Sequence, residues 1–252
     1  MSLLTQADPW VLAACVLALI AGGVVKGMTA VGLPLVAVPV MAALMPVPQA
    51  LAIIALPSTA TSLWQVLKGG HQGAAIGRIW PLLAGLFIGM TSSVRMLATI
   101  DVRRLNIVLG TLVVVYSFLL LRRIVVRVPP RHEWWAGALA GLIGGLVGGV
   151  SLFVGPIFAI YMAGLNLDRH VFIATLALAN VCAAGLFAIL IAGFGVAGGG
   201  DFVLSAIATA IVFLGLVAGH HLRLKVNEEV FRRCLALVLL ASGLNLLRKA
   251  LL

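Results

Sequence analysis

The chain has 252 residues, 63% of them hydrophobic and only 10% charged, where soluble domains carry about 25% charged residues; its mean hydropathy is +1.20. These values exclude a soluble globular domain and describe an all-α polytopic membrane protein whose residues 1–252 form a single membrane domain, because the longest polar connection, Leu121 to Trp134, is too short to fold alone. The formal charge of +10 sits in short loops between apolar runs without interleaved aromatics, the pattern of membrane orientation and not of nucleic-acid binding.

Asp8 is the only charge before Lys26, so a cleaved signal peptide is not expected and the first apolar run is read as a membrane helix. A spanning helix needs about 20 apolar residues. Against that length the chain divides into segments 10–28, 31–45, 49–67, 79–97, 103–121, 134–150, 152–166, 170–194, 201–221 and 230–247. The second and seventh are short, reaching about 22 Å of a ~30 Å hydrocarbon core, so half-helices, re-entrant arms or strongly tilted spans are expected there.

The first segment runs into Gly22-Gly23-Val24-Val25-Lys26-Gly27 and on to Pro34. The sixth runs into Gly144-Gly145-Leu146-Val147-Gly148-Gly149 and on to Pro156, at a constant offset of 122 residues without a gap. The chain is therefore built twice, 1–122 and 134–252, joined by a basic connection at 123–133 expected in the cytoplasm. Glycine and proline breaking membrane helices at equivalent places in two halves point to a transporter's substrate site. Lys26 lies in the first break and corresponds to Gly148 in the second.

Charge placement tests whether each break reverses the chain. If it does, one side collects Lys68, Arg78, Arg122, Arg123, Arg127, Arg131, Arg169, Arg223, Lys225, Arg232 and Arg233. The other keeps Arg95, Arg103, Arg104, Arg248 and Lys249, a split of eleven to five. Without reversal the same residues divide eight to eight. The positive-inside rule favours reversal, with both termini periplasmic and an odd number of segments per half, which makes the halves inverted copies. Arg103-Arg104 and Arg232-Arg233 open the fifth and tenth segments, and Gly85 and Gly89 correspond to Gly215 and Gly219, small residues that suit close helix packing in lipid.

At the breaks, Pro34 and Pro156 suit the first turn of a restarting helix, where the missing N–H had no partner, and Gly32 and Gly155 allow close backbone approach to a ligand. Exposed N–H groups of two such helix ends would favour an anion. Thr29 and Ser151 are equivalent, as are Ser58 and Asn180. Thr59, Thr61, Ser62 and Gln65 extend the first polar cluster, and Thr175 lies near the second. Each hydroxyl can coordinate an anion or bond its own helix; an amide as deep as Asn180 needs a partner. Lys26 can hold the anion or snorkel to headgroups.

The run from Gly22 to Gly27 followed by Gly32-Leu33-Pro34-Leu35-Val36-Ala37-Val38-Pro39, the stretch Ala52 to Ser62, Gly85-Leu86-Phe87-Ile88-Gly89, and Val154-Gly155-Pro156 in the second half resemble the TauE/SafE family of sulfite exporters and organosulfur anion permeases. The resemblance covers nearly the whole chain. It departs where family members often carry a run of glycines and this chain has Thr29-Ala30-Val31-Gly32. The resemblance implies transport of a small sulfur oxyanion or carboxylate across the bacterial inner membrane. The candidate substrate-binding residues are Lys26, Thr29, Gly32, Pro34, Ser58, Thr59, Ser62, Ser151, Gly155, Pro156 and Asn180.

Other chemistries find little support. Asp8, Asp101, Glu133, Asp168, Asp201, Glu228 and Glu229 all fall in loops or at segment ends, so a carboxylate proton relay is not expected. His71, His132, His170, His220 and His221 are read as solvated or interfacial. Cys15, Cys182 and Cys234 lack metal spacing, and no hydrolase motif is present. No enzyme, cofactor or metal is expected. The expected partners are a small anionic substrate and the lipid bilayer, with a homodimer allowed. Facilitated efflux leads; a channel-like anion conductor and an uptake permease for a small carboxylate are the alternatives.

Overall fold

The computed structural model describes residues 8–69, 76–122, 127–165, 167–222 and 227–251. His71, Arg123, Arg223 and Lys225, used above in reading the loops, lie outside them. The described residues form ten α-helices. They are α1 (Pro9–Thr29), α2 (Leu33–Leu44), α3 (Val47–Gly69), α4 (Ile76–Leu97), α5 (Val102–Leu121), α6 (Glu133–Ser151), α7 (Val154–Ala163), α8 (Arg169–Gly193), α9 (Gly199–Leu222) and α10 (Glu228–Leu251), with a single 3-10 turn at Pro130–His132. Eight are long and apolar enough to cross a membrane, and the two exceptions are α2 and α7, the segments read as short. With 12 and 10 residues they reach about 18 and 15 Å. The protein is an all-α, multi-pass membrane protein.

Both breaks reverse the chain. Gly22 of α1 lies against Leu33 and Ala37 of α2, and Gly144 of α6 lies against the Phe158 ring of α7. Each short helix thus folds back along its predecessor. Leu33, Leu35, Val36, Ala37, Val38, Met41 and Ala42 of α2 are buried, as befits a helix that is apolar all round.

Helices α5 and α10 occupy equivalent places in the two halves and run antiparallel. Arg103 Nε donates to the Ala250 carbonyl at 2.7 Å, Gly110 faces Gly243, and Ser117 Oγ donates to the Ala236 carbonyl at 2.6 Å. Opposite directions in equivalent helices are what inverted copies require. The halves also interlock, since α1 packs against α9 and α6 against α4. A Cβ on Gly23 or Gly27 would strike the Val212 or Leu216 carbonyl, and one on Gly85 or Gly89 the Ala138 or Leu142 carbonyl. Backbone approaches backbone there, so small residues decide the fit.

One kink bears on the site. Pro57, inside α3, has no N–H for the Ile53 carbonyl and its ring crowds that oxygen. Ser205 Oγ of α9 donates to the freed carbonyl at 2.8 Å and accepts from Leu56 N at 3.2 Å. The next residue is Ser58.

Candidate anion site at the meeting of two helix breaks

Both breaks are made in the same way. Helix α1 ends on Ala30 and α6 on Leu152, equivalent residues that adopt left-handed conformations with φ of 67° and 61°. Their N–H groups close the last turns onto the Lys26 and Gly148 carbonyls at 2.9 and 2.7 Å. A non-glycine residue in that region costs about 1–2 kcal/mol, so neighbouring contacts must hold it. Thr29 Oγ1 donates to the Val25 carbonyl at 2.9 Å and also contacts the Val31 carbonyl. Ser151 Oγ donates to the Val147 carbonyl at 2.7 Å and accepts from Phe153 N at 3.2 Å. Gly32, with φ 115°, then caps α2, and Pro34 and Pro156 fall in the first turns of α2 and α7.

The two breaks face one another. Val31 of the first lies directly against Gly155 of the second, whose missing Cβ would collide with it. Between them is a cavity of about 30 Å³ lined by Lys26, Ala30, Val31, Gly32, Pro34, Leu35, Ser58, Ser62, Leu152, Phe153, Val154, Gly155, Pro156, Asn180 and Ala184. That holds one or two water-sized groups.

Lys26 is 4% exposed. Its ammonium donates to Ser62 Oγ at 2.6 Å and to the Ser58 carbonyl at 3.1 Å, so the snorkelling alternative does not hold. An ammonium has three hydrogens, and two of them are engaged. Among the described residues no carboxylate pairs with it. Ser58 Oγ, buried beside it, has no hydrogen-bond partner. A buried cation without a counter-charge costs several kcal/mol, and a buried hydroxyl left unpaired about 1–3 kcal/mol. The cavity thus concentrates unmet demand for an acceptor. The C-terminal end of α1, where carbonyls accumulate negative potential, lessens the first cost by roughly 0.3–1 kcal/mol.

Of the candidate residues, Lys26, Gly32, Pro34, Ser58, Ser62, Gly155, Pro156 and Asn180 are brought to this cavity. Thr29, Thr59 and Ser151 are not. Thr29 and Ser151 secure the breaks, and Thr59 Oγ1 bonds the Ala55 carbonyl of its own helix at 2.9 Å. Asn180 finds the partner its depth requires within its own helix, donating through Nδ2 to the Leu176 carbonyl at 2.9 Å. The sequence reading also missed Tyr116, a buried α5 residue whose hydroxyl donates to the Phe153 carbonyl at 2.8 Å and ties the second break to the first half. A phenol in the middle of an apolar segment, which needs a polar partner when buried, was the available signal.

A family model for the sulfite exporter TauE/SafE matches residues 14–246. No curated protein matches the chain, and no solved structure does.

Proposed function

The chain belongs to the sulfite exporter TauE/SafE family, and from that membership we propose that it carries a small sulfur oxyanion or sulfonate across the bacterial inner membrane, seating it where the two breaks meet. The family is one of membrane transporters, which accords with eight apolar helices and with a site holding no pair of acids. The observation that carries the reading is the buried Lys26 ammonium, without a carboxylate, beside the unpartnered Ser58 hydroxyl. An oxyanion would accept from both and from the second amide hydrogen of Asn180, while the first turns of α2 and α7 add N–H dipoles.

Each residue then has a defined task. Lys26 supplies charge, Ser62 and the Ser58 carbonyl orient it, and Ser58 Oγ and Asn180 select for oxygen acceptors. Apolar Leu35, Phe153 and Val154 keep water scarce, which strengthens each of these interactions. We place both termini in the periplasm and favour efflux, because an inside-negative potential drives an anion outward by about 2.3 kcal/mol per charge per 100 mV without a coupling ion.

The test is flux of sulfite and short sulfonates from proteoliposomes under an imposed potential. Saturable flux that Lys26→Met abolishes supports the reading. Single-channel current, or saturable flux indifferent to Lys26→Met, overturns it.

A further inference from the structure

A second cavity of about 280 Å³ adjoins the first and shares Val31, Gly32, Leu35 and Pro156 as a common wall. Apart from Thr29 and Tyr116 its lining is apolar, drawn from α1, α2, α5, α7 and α10, except at one point where Arg122 contributes. Arg122 is exposed, and no acidic residue pairs with it among the described residues. It ends α5 and opens the basic connection to the second half.

The wall between the cavities is thin and of unusual make. Val31 rests on Gly155, which has no side chain to push it away. It also stands between two residues in the left-handed region, Ala30 at φ 67° and Gly32 at φ 115°. A branched apolar side chain closing a narrow passage blocks ions by excluding water, and a short segment between two such backbone positions can swing by changing few torsions.

We propose that the larger cavity is the vestibule through which the anion reaches Lys26, that Arg122 captures the anion at its mouth, and that Val31 seated on Gly155 is the gate between them. This rests on the assignment of the Lys26 cavity as the anion site, and deepens it. Arg122 supplies a cationic station exposed to water, so the anion leaves bulk solvent by exchange onto one cation before passing Val31 to the other. The chemistry recognised is that of an oxyanion small enough to pass one valine side chain. Screening should weaken capture at Arg122 as salt rises, while leaving the desolvated Lys26 station less affected.

The experiment uses protein in which Cys15, Cys182 and Cys234 are replaced by alanine, carrying a single reporter: Ala159→Cys in the vestibule wall or Ala184→Cys in the Lys26 cavity. Ile160→Cys replaces Ala159→Cys should that variant misfold. Reconstituted protein is exposed to impermeant methanethiosulfonates, anionic or cationic, from each membrane face. The vestibule reporter should react from one face only, about tenfold faster with the anionic reagent, and Arg122→Gln should remove that preference. The Ala184→Cys reporter should react slowly, and Val31→Ala should speed it at least tenfold. A vestibule reporter that resists both reagents from both faces yet reacts with a lipophilic maleimide marks a lipid-facing groove and overturns the proposal. So does an Ala184→Cys rate indifferent to Val31→Ala. Protection of Ala184→Cys by methanesulfonate, a sulfonate that does not consume the thiosulfonate reagent as sulfite would, and its loss in Lys26→Met, reads the Lys26 assignment separately, because labelling at the vestibule does not depend on Lys26.

Discussion

The two breaks share a backbone and differ in chemistry. Ala30 and Leu152 adopt nearly the same left-handed cap, Thr29 and Ser151 each bond a carbonyl four residues back, and at both breaks the chain reverses into a short apolar helix. Yet where the first half places the Lys26 ammonium, the second has Gly148, its space taken by Val154 and approached by Met90. Likewise Ser58 and Ser62 of α3 face Asn180 and Ala184 of α8 across the cavity. The two breaks share one backbone arrangement, and the charge is held at only one of them. An anion seat needs two helix ends to shape it but only one cation, since a second ammonium at Gly148 would add repulsion to the cost of burial.

The largest effect expected from breaking this asymmetry is at Lys26. Lys26→Met should lower anion affinity about 100-fold, equivalent to about 3 kcal/mol for a charge-assisted contact, in a binding titration on purified protein, with folding retained. At the equivalent position, Gly148→Ala should do the reverse. Its new Cβ must displace Val154 and come within 3.1 Å of the Met90 methyl. Overpacking of this kind costs about 1–3 kcal/mol, read as a lower thermal midpoint with anion affinity little changed. If Gly148→Ala weakened binding as much as Lys26→Met, charge would not be what distinguishes the halves.

Ser58→Ala sharpens the contrast, because its buried hydroxyl has no hydrogen-bond partner within the protein. Affinity should fall about tenfold, or about 1.4 kcal/mol, without loss of stability. Ser151→Ala should behave oppositely. It removes the acceptor for Phe153 N, costing about 1 kcal/mol of stability and leaving affinity intact; a matching loss of affinity would place Ser151 in the seat after all.

These differences explain what the sequence could and could not reveal. The breaks were legible because glycine and proline act on the backbone itself, and an offset of 122 residues makes coincidence untenable. Chain reversal was legible because Lys and Arg follow membrane orientation. The hydroxyls were not, because a serine or threonine on a membrane helix can always turn to a carbonyl of its own helix, and only facing decides. Ser58 and Ser62, four residues apart, lie on the face of α3 turned to Lys26, whereas Thr59 lies one residue around the helix and bonds Ala55. That spacing was visible, but the direction of the face depends on how α3 packs on α2, α8 and α9. The role of Ser205 was equally hidden, since it answers a carbonyl freed by a proline 148 positions away.

The most direct measurement locates the anion itself. Crystals soaked in selenite, an oxyanion with a strong anomalous signal, should show a single occupied position within hydrogen-bonding distance of Lys26 Nζ and Ser58 Oγ, and none in Lys26→Met. Anomalous density confined to positions outside the two breaks, in protein that still transports selenite, would contradict the account.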